Sequence, residues 1–542
     1  MKLHNLLGCL LLLLSFTTVQ AQDDDQINAI IAEMTLERKV AQMFMVNLYG
    51  SGLTEVGRDM LQTWQPGAVV LLGPNTEQSP EQIAQLTNNY QQTITEAGGV
   101  PLFIATDQEG GLVQRLREGF TIWPVPMLLT AANDTALSYR MGQGMAAELR
   151  AVGVNMNLAP VADLQTNLAN PIIGRRSPGS DPLQVGYSLY GLVGGMQSVG
   201  VMATLKHFPG HGETDEDSHT TLPELPLDLG RLRDVELPPF IYGMPAGAVM
   251  VSHIWFSEFD PEPLPASLSP TIVTELLRNE LGYEGIIITD ALDMDAIDTV
   301  YSPSQAAVMS VQAGNDMVLI GANAGEQIQA RAMQAVVDAV RAGEIDAAQI
   351  DDSVYRILYA KQQFGVFDWQ PVEPQALGLP LEENAALVRD IFEAGVTVVR
   401  DEPDALPFEP GDSVGVIFPG TRYSIQSACE THDEDLRSLA VSEGANATDI
   451  ARAVRLASEV ETVVVFTQDA YINDAQAALV NALPARRTLV VALASPYDLL
   501  RFPDIGAYVV TYSPIDPAAE VACALLFGAI QPESTLSVSF NN

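Results

Sequence analysis

Eight short apolar segments, at 40–48, 67–73, 101–107, 153–160, 200–208, 248–254, 285–290 and 316–320, constrain the fold more than any other feature of the chain. They are mostly continuous runs of β-branched and aliphatic residues, without strict alternation of apolar and polar positions. Strands read this way when both faces are buried, as in a parallel sheet covered by helices. Stretches of helical period separate most of them, among them 80–97, 136–152 and 269–281. Such alternation implies parallel β/α units. Eight units over ~300 residues suit a (β/α)8 barrel, with room for an irregular first unit.

Where the polar residues fall strengthens this expectation. Asp107 closes PLFIATD, Lys206 and His207 close GVMATLKH, His253 closes AVMVSH and Asp290 closes GIIITD. A barrel collects its active site from the C-terminal ends of strands far apart in sequence. A doubly wound sheet produces the same order of elements but more rarely needs polar residues at so many strand ends.

Pro371, Pro374 and Pro380, then a helical stretch, then Pro403, Pro407 and Pro410 interrupt the pattern. Four more apolar segments follow, at 414–418, 462–467, 488–494 and 507–512, with helical spacers such as 469–482. The expected organisation is a catalytic barrel over 22–370, a linker over 371–400 and a smaller α/β sandwich domain over 401–542. Ahead of the barrel, a basic start, a leucine-rich run through Leu14 and a small-residue site at Ala21 read as a signal peptide over 1–21, hence secretion. A lipid anchor on Cys9 fits less well, because most of the apolar run follows that cysteine. Cys429 and Cys523 remain, either as a pair or as two buried thiols.

Lys and Arg number 27 against 68 Asp and Glu, a formal net charge of −41. That field disfavours nucleic acid and anionic lipid as partners. No later apolar run is long enough for stable membrane insertion. Charge of this kind speaks to solubility; oligomeric state cannot be read from it.

The chemistry concentrates in KHFPGHGETDEDSH, which holds His207, His211 and His219. It starts at a strand end and enters a Gly/Pro-rich acidic loop. Three histidines with carboxylates can ligate zinc, although Pro209-Gly210 keeps His207 and His211 off a common helical face. His219 can serve as acid/base, with Asp217 two residues earlier on the same side of an extended segment. Lys206 and His207 can bind substrate, and a solvated loop is the plain alternative. Asp290 follows three isoleucines, so its carboxylate is partly desolvated; it suits attack on an anomeric carbon or, equally, a helix N-cap. Asp107 can accept hydrogen bonds from vicinal hydroxyls, with Arg115 orienting it, and Arg176 offers a guanidinium fork.

Together the stretches DQEGGLVQRL from Asp107, NPIIGRRS from Asn170, KHFPGHGETDEDSH from Lys206 and GIIITDALDM from Gly285 resemble the family 3 glycoside hydrolases. The closer likeness is to the bacterial β-N-acetylhexosaminidase branch. The resemblance implies Asp290 as nucleophile, His219 as general acid/base and Asp217 as its orienting partner. It implies sugar binding by Asp107, Arg115, Arg176, Lys206 and His207, and leaves His253 unassigned. It turns the loop from zinc toward acid/base work, so no metal and no cofactor is expected. The implied substrate is a carbohydrate bearing N-acetylglucosamine, either a chitin oligosaccharide or a peptidoglycan fragment. Leu112 stands where relatives often have arginine, and Pro178 where an aromatic is common. Rival readings are a phosphorylase of the same glycosides, a β-glucosidase or β-xylosidase of the family, and a non-catalytic sugar-binding protein.

Overall fold

The computed structural model describes residues 25–402, 405–409, 411–531 and 533–540; the expected signal peptide and Cys9 lie outside them. Eight parallel strands form the first sheet: β1 Phe44–Asn47, β2 Ala68–Val70, β3 Phe103–Thr106, β4 Met156–Asn157, β5 Met202–Phe208, β6 Ala248–Val251, β7 Ile286–Thr289 and β8 Val318–Leu319. Each pairs with its neighbour in sequence from β1 to β7, and β8 pairs with β1. A parallel bridge between Ile288 and Met317 joins β7 to β8 and closes the barrel. Every strand residue of β7 is buried, which is why this strand carries apolar side chains at consecutive positions.

Helices cross over between the strands, and the sequence starts several of them explicitly. Ser79 caps Pro80–Glu96 in a capping box, Asp134 caps Thr135–Ala151 and Asp181 caps Pro182–Ser198. In each the side-chain oxygen satisfies N–H groups of the first turn that have no partner within the helix.

Past the barrel, the segment expected as a linker holds the helix Leu381–Gly395, whose Leu387, Val388, Ile391 and Phe392 are buried. Its final residues already enter a second sheet. That sheet comprises β9 Thr397–Asp401, β10 Val414–Pro419, β11 Arg437–Val441, β12 Thr462–Thr467, β13 Thr488–Ala492 and β14 Ala507–Val510. The order across it is β9-β14-β13-β12-β10-β11, parallel throughout except for β9 against β14. Cys429 and Cys523 form a disulfide between the helices Tyr423–Glu430 and Pro517–Leu526. The chain end then straps this domain to the barrel: the Thr535 amide donates to the Ala131 carbonyl at 3.0 Å, and the Ser180 amide to the Ser537 carbonyl at 2.9 Å. Among the described residues no helix is long and apolar enough to cross a membrane.

Among the described residues one lysine is buried without an ionic partner. Lys361 is fully buried; its Nζ donates to Gln42 Oε1 at 3.0 Å and lies 5.8 Å from the Phe103 ring centre. Burial pushes this ammonium down to about 7 from the ordinary 10.5. Between those values the folded chain holds fewer protons than the unfolded one, so stability rises with pH across that window. Lys361→Met is expected to raise Tm by several degrees at about pH 6 and to flatten the rise, read from thermal melts on both sides of neutrality. The disulfide spans 94 residues. Replacing both cysteines by alanine is expected to lower stability by up to roughly 4–5 kcal/mol on the chain-entropy argument, measurable by denaturant unfolding.

Candidate active site

The barrel brings four charged side chains into one network at the ends of β3 and β5 and in the loop after β4. Lys206 Nζ lies 2.8 Å from Asp107 Oδ1 and 2.7 Å from Glu109 Oε1. Arg176 grips the same Glu109 with two bonds, Nη2 to Oε1 at 2.8 Å and Nε to Oε2 at 3.0 Å. Burial would raise the Glu109 carboxyl, but Lys206 and then Arg176 outweigh it and hold it at about 2. Lys206 behaves conversely: burial opposes its charge, while Asp107 and Glu109 raise it above the ordinary value. Arg115 stands further off, with Nε 3.6 Å from Asp107 Oδ2. Arg176 thus engages Glu109 with the fork that the sequence reading aimed at substrate.

A second centre is Asp163, fully buried beyond β4. Its carboxylate accepts from the His207 amide at 3.1 Å, the His211 amide at 2.8 Å and the His207 ring at 2.7 Å. The Lys206–His207 and Phe208–Pro209 peptide bonds are both cis. With Nδ1 committed to Asp163, His207 presents Nε2 on the opposite side of the ring.

Asp290 follows β7. Its amide donates to the Val251 carbonyl at 3.0 Å, and its Oδ1 accepts from the Ala291 amide at 2.7 Å. Burial would raise this carboxyl, yet its electrostatic neighbours, His207 first, and the Ala291 N–H hold it at about 2. It is therefore ionised at neutral pH. His253, which the sequence reading left without a role, lies beside it. A carbonyl can only accept, so the 3.0 Å contact from His253 Nε2 to the Ala291 oxygen puts the proton on Nε2. Nδ1 then accepts from Ser267 Oγ at 2.7 Å. Burial lowers the pKa of this imidazole. His253 secures the backbone whose N–H holds Asp290.

The histidine-rich loop is held from beneath. Asn170 Nδ2 donates to the carbonyls of His211 at 2.8 Å and Gly212 at 3.0 Å, while its Oδ1 accepts from the Ile172 and Ile173 amides. The NPIIGRRS motif is thus a clamp on the loop. Gly212 must be glycine for a plain reason: a Cβ there would sit 1.6 Å from the Leu164 oxygen. His211 bridges Thr214 Oγ1 at 3.0 Å and Ser218 Oγ at 2.8 Å. Burial pushes it down to about 4, so it is neutral above that pH and serves as a strut. At the loop tip His219 Nδ1 is 2.8 Å from Asp217 Oδ1, and the same oxygen accepts the His219 amide at 2.8 Å. Its ring stays 55% exposed. The His219 carbonyl accepts from the Asp295 amide at 3.3 Å, which ties the tip to the segment that begins at Asp290.

The structure therefore gathers the expected residues into two linked groups: Asp107, Arg115, Arg176 and Lys206 in the ionic network, and His207, Asp290 and the Asp217–His219 pair around the loop. Glu109, Asp163 and Asn170 were not singled out from the sequence, and His211 was weighed there only among the histidines of a zinc site. Asp163 had a usable signal, a carboxylate closing PVAD just past a strand. Glu109 had none, because it lies beside Asp107 on a turn that glycines already explain. Among the described residues no group of three or more His, Cys, Asp and Glu side chains is arranged to hold a metal ion.

Comparison with known proteins agrees with this architecture. Residues 35–360 match the N-terminal domain of glycosyl hydrolase family 3. Beta-hexosaminidase A of Pseudoalteromonas piscicida is 27% identical over 547 residues, covering 89% of this chain and 91% of that protein. A beta-hexosaminidase of Alkalilimnicola ehrlichii is 40% identical over 284 residues, covering 51% of this chain and 79% of its own. The structure of a glycoside hydrolase family 3 beta-N-acetylglucosaminidase from Paenibacillus superposes with a TM-score of 0.83 at 34% identity, covering 93% of this chain and 99% of that one. A closed barrel with charged strand ends, a second sheet domain and these likenesses over nearly the whole described chain place the protein in glycosyl hydrolase family 3.

Proposed function

We propose that the chain is an exported, retaining β-N-acetylhexosaminidase that releases terminal β-linked N-acetylglucosamine. The Asp217–His219 couple carries this reading. With Nδ1 engaged by a carboxylate, Nε2 is the nitrogen left to exchange a proton, and the loop tip is tied five residues downstream of an ionised Asp290. Protonated His219 gives its Nε2 proton to the glycosidic oxygen as Asp290 attacks the anomeric carbon and the C–O bond to the leaving group breaks. Neutral His219 then takes a proton from water, whose oxygen displaces Asp290 and restores the original configuration. Asp107, with Lys206 behind it, accepts sugar hydroxyls. The names of the relatives support the N-acetylhexosamine specificity, and the buried disulfide supports an oxidising compartment.

Asp290→Asn should abolish turnover, and a fluorosugar that traps the glycosyl-enzyme should label the Asp290 peptide in mass spectra of the wild type. A label on another carboxylate would move the nucleophile. His219→Ala should lose about 10²–10⁴-fold in kcat/KM on oligosaccharides and far less on 4-nitrophenyl glycosides, whose leaving group needs little proton assistance. Equal losses on both substrates would remove His219 from the acid/base role. Product analysis with and without phosphate distinguishes hydrolysis from phosphorolysis.

A further inference from the structure

The second domain has a cavity of its own, about 460 Å3 in volume, whose lining includes Pro419, Glu443, Gln468, Asp469, Ile472 and Asp474. The topology explains where it lies. Pro419 ends β10, Gln468 follows the end of β12, and Glu443 lies just past β11. From β10 the chain turns to one side to form β11, then crosses back to form β12 on the other side, with β13 and β14 beyond. In an open parallel sheet this reversal is where successive connections diverge and leave a crevice outside the carboxyl ends of the strands. Nothing in the barrel chemistry uses it.

The crevice adjoins the barrel. Asp469 Oδ2 is 3.4 Å from Arg175 Nη2, and the next residue, Arg176, holds Glu109 in the sugar-binding network. The turn that carries Asp469 is anchored from several directions. The Gln468 amide donates to Gln476 Oε1 and the Tyr471 amide to buried Asp498, each at 2.8 Å; the Tyr471 carbonyl accepts from Arg501 at 2.8 Å. Asp469 adopts φ of +60°, a conformation uncommon for a residue with a Cβ. Within this rigid turn Ile472 lines the crevice with 80% of its surface exposed.

The lining selects a ligand chemistry. It holds carboxylates and primary amides, which accept from and donate to hydroxyl groups, and the aliphatic Ile472, which suits the C–H face of a pyranose. Among the described residues that line it there is no lysine or arginine, although Arg175 pairs with Asp469 and Arg422 donates to Gln468, and the chain carries a formal net charge of −41. Phosphate or carboxylate groups would meet a repelling field here. We infer that the crevice is a subsite for the leaving-side portion of the substrate, a neutral, hydroxyl-rich oligosaccharide extending from the scissile bond toward the second domain. The inference rests on the barrel acting as a β-N-acetylhexosaminidase. It favours chitin-type chains over muramic-acid fragments, which bear a carboxylate.

The test compares kcat/KM on the β-1,4 tetramer of N-acetylglucosamine with kcat/KM on its 4-nitrophenyl monosaccharide, in wild type, Ile472→Asp and Glu443→Lys. Both side chains are exposed, and matching melting curves confirm folding. The tetramer-to-aryl ratio is expected to fall about tenfold or more in each variant, a loss of the size of one good contact. A ratio equal to that of the wild type in both variants overturns the crevice as a subsite. Calorimetric titration of the tetramer into the Asp290→Asn protein, which does not consume it, decides the matter independently of turnover: weaker binding once Ile472→Asp is added supports the subsite, and equal binding overturns it. A wild type inert toward both substrates would overturn the barrel reading instead, leaving the titration to judge the crevice.

Discussion

An ammonium group taken out of water must find carboxylates, and the placement of Lys206 among Asp107, Glu109 and Arg176 is the constraint from which the rest of the site follows. Lys206 is 3% exposed, and Glu109 only 1%. Charges so buried lose hydration worth several kcal/mol each and are tolerated only with close, well-made partners. That demand draws the turn after β3, the end of β5 and the arginine loop after β4 to one spot. It also leaves Asp107 as the more exposed carboxylate of the cluster, with a side chain 16% accessible. The adjacent Arg175 carries the same loop to Asp469, so the polar core of the barrel and the second domain share one short segment.

The histidines show how burial divides one residue type into different tasks. His253 and His211 are buried and lowered in pKa, and each spends both ring nitrogens on neighbouring groups. They hold shape. His207 spends Nδ1 on Asp163. His219 alone of these four combines a carboxylate-held Nδ1 with a largely exposed ring. The acid/base role proposed for His219 needs access to a leaving group and to water, and a loop tip provides it where a strand end does not. The cost of a loop is imprecision, which Asn170, Gly212 and the His211–Ser218 contact counter by fixing its base.

Much of the fold was legible because a parallel barrel imposes a pattern on single residues. All eight strands fall inside the apolar segments read from the sequence. In the second domain β10, β12, β13 and β14 were visible for the same reason. The two strands that were not, β9 and β11, are the edges of the sheet. Thr397–Asp401 and Arg437–Val441 are both mostly half-exposed, and an edge strand with polar residues on its open side no longer reads as a continuous apolar run. For Thr397–Asp401, the surrounding prolines suggested a linker where the structure has a helix and a strand.

The residue sequence by itself determined the β/α repeat, the strand ends that carry charge and the specific loop motif, because each depends on local periodicity or on neighbours along the chain. Only the tertiary structure decided which charges meet. Arg176 meets Glu109 across 67 positions, His207 meets Asp163 across 44, and Cys429 meets Cys523 across 94. Such pairings are chosen by the requirement that every buried charge and polar group be satisfied at once, a condition on the packed whole that no single segment encodes.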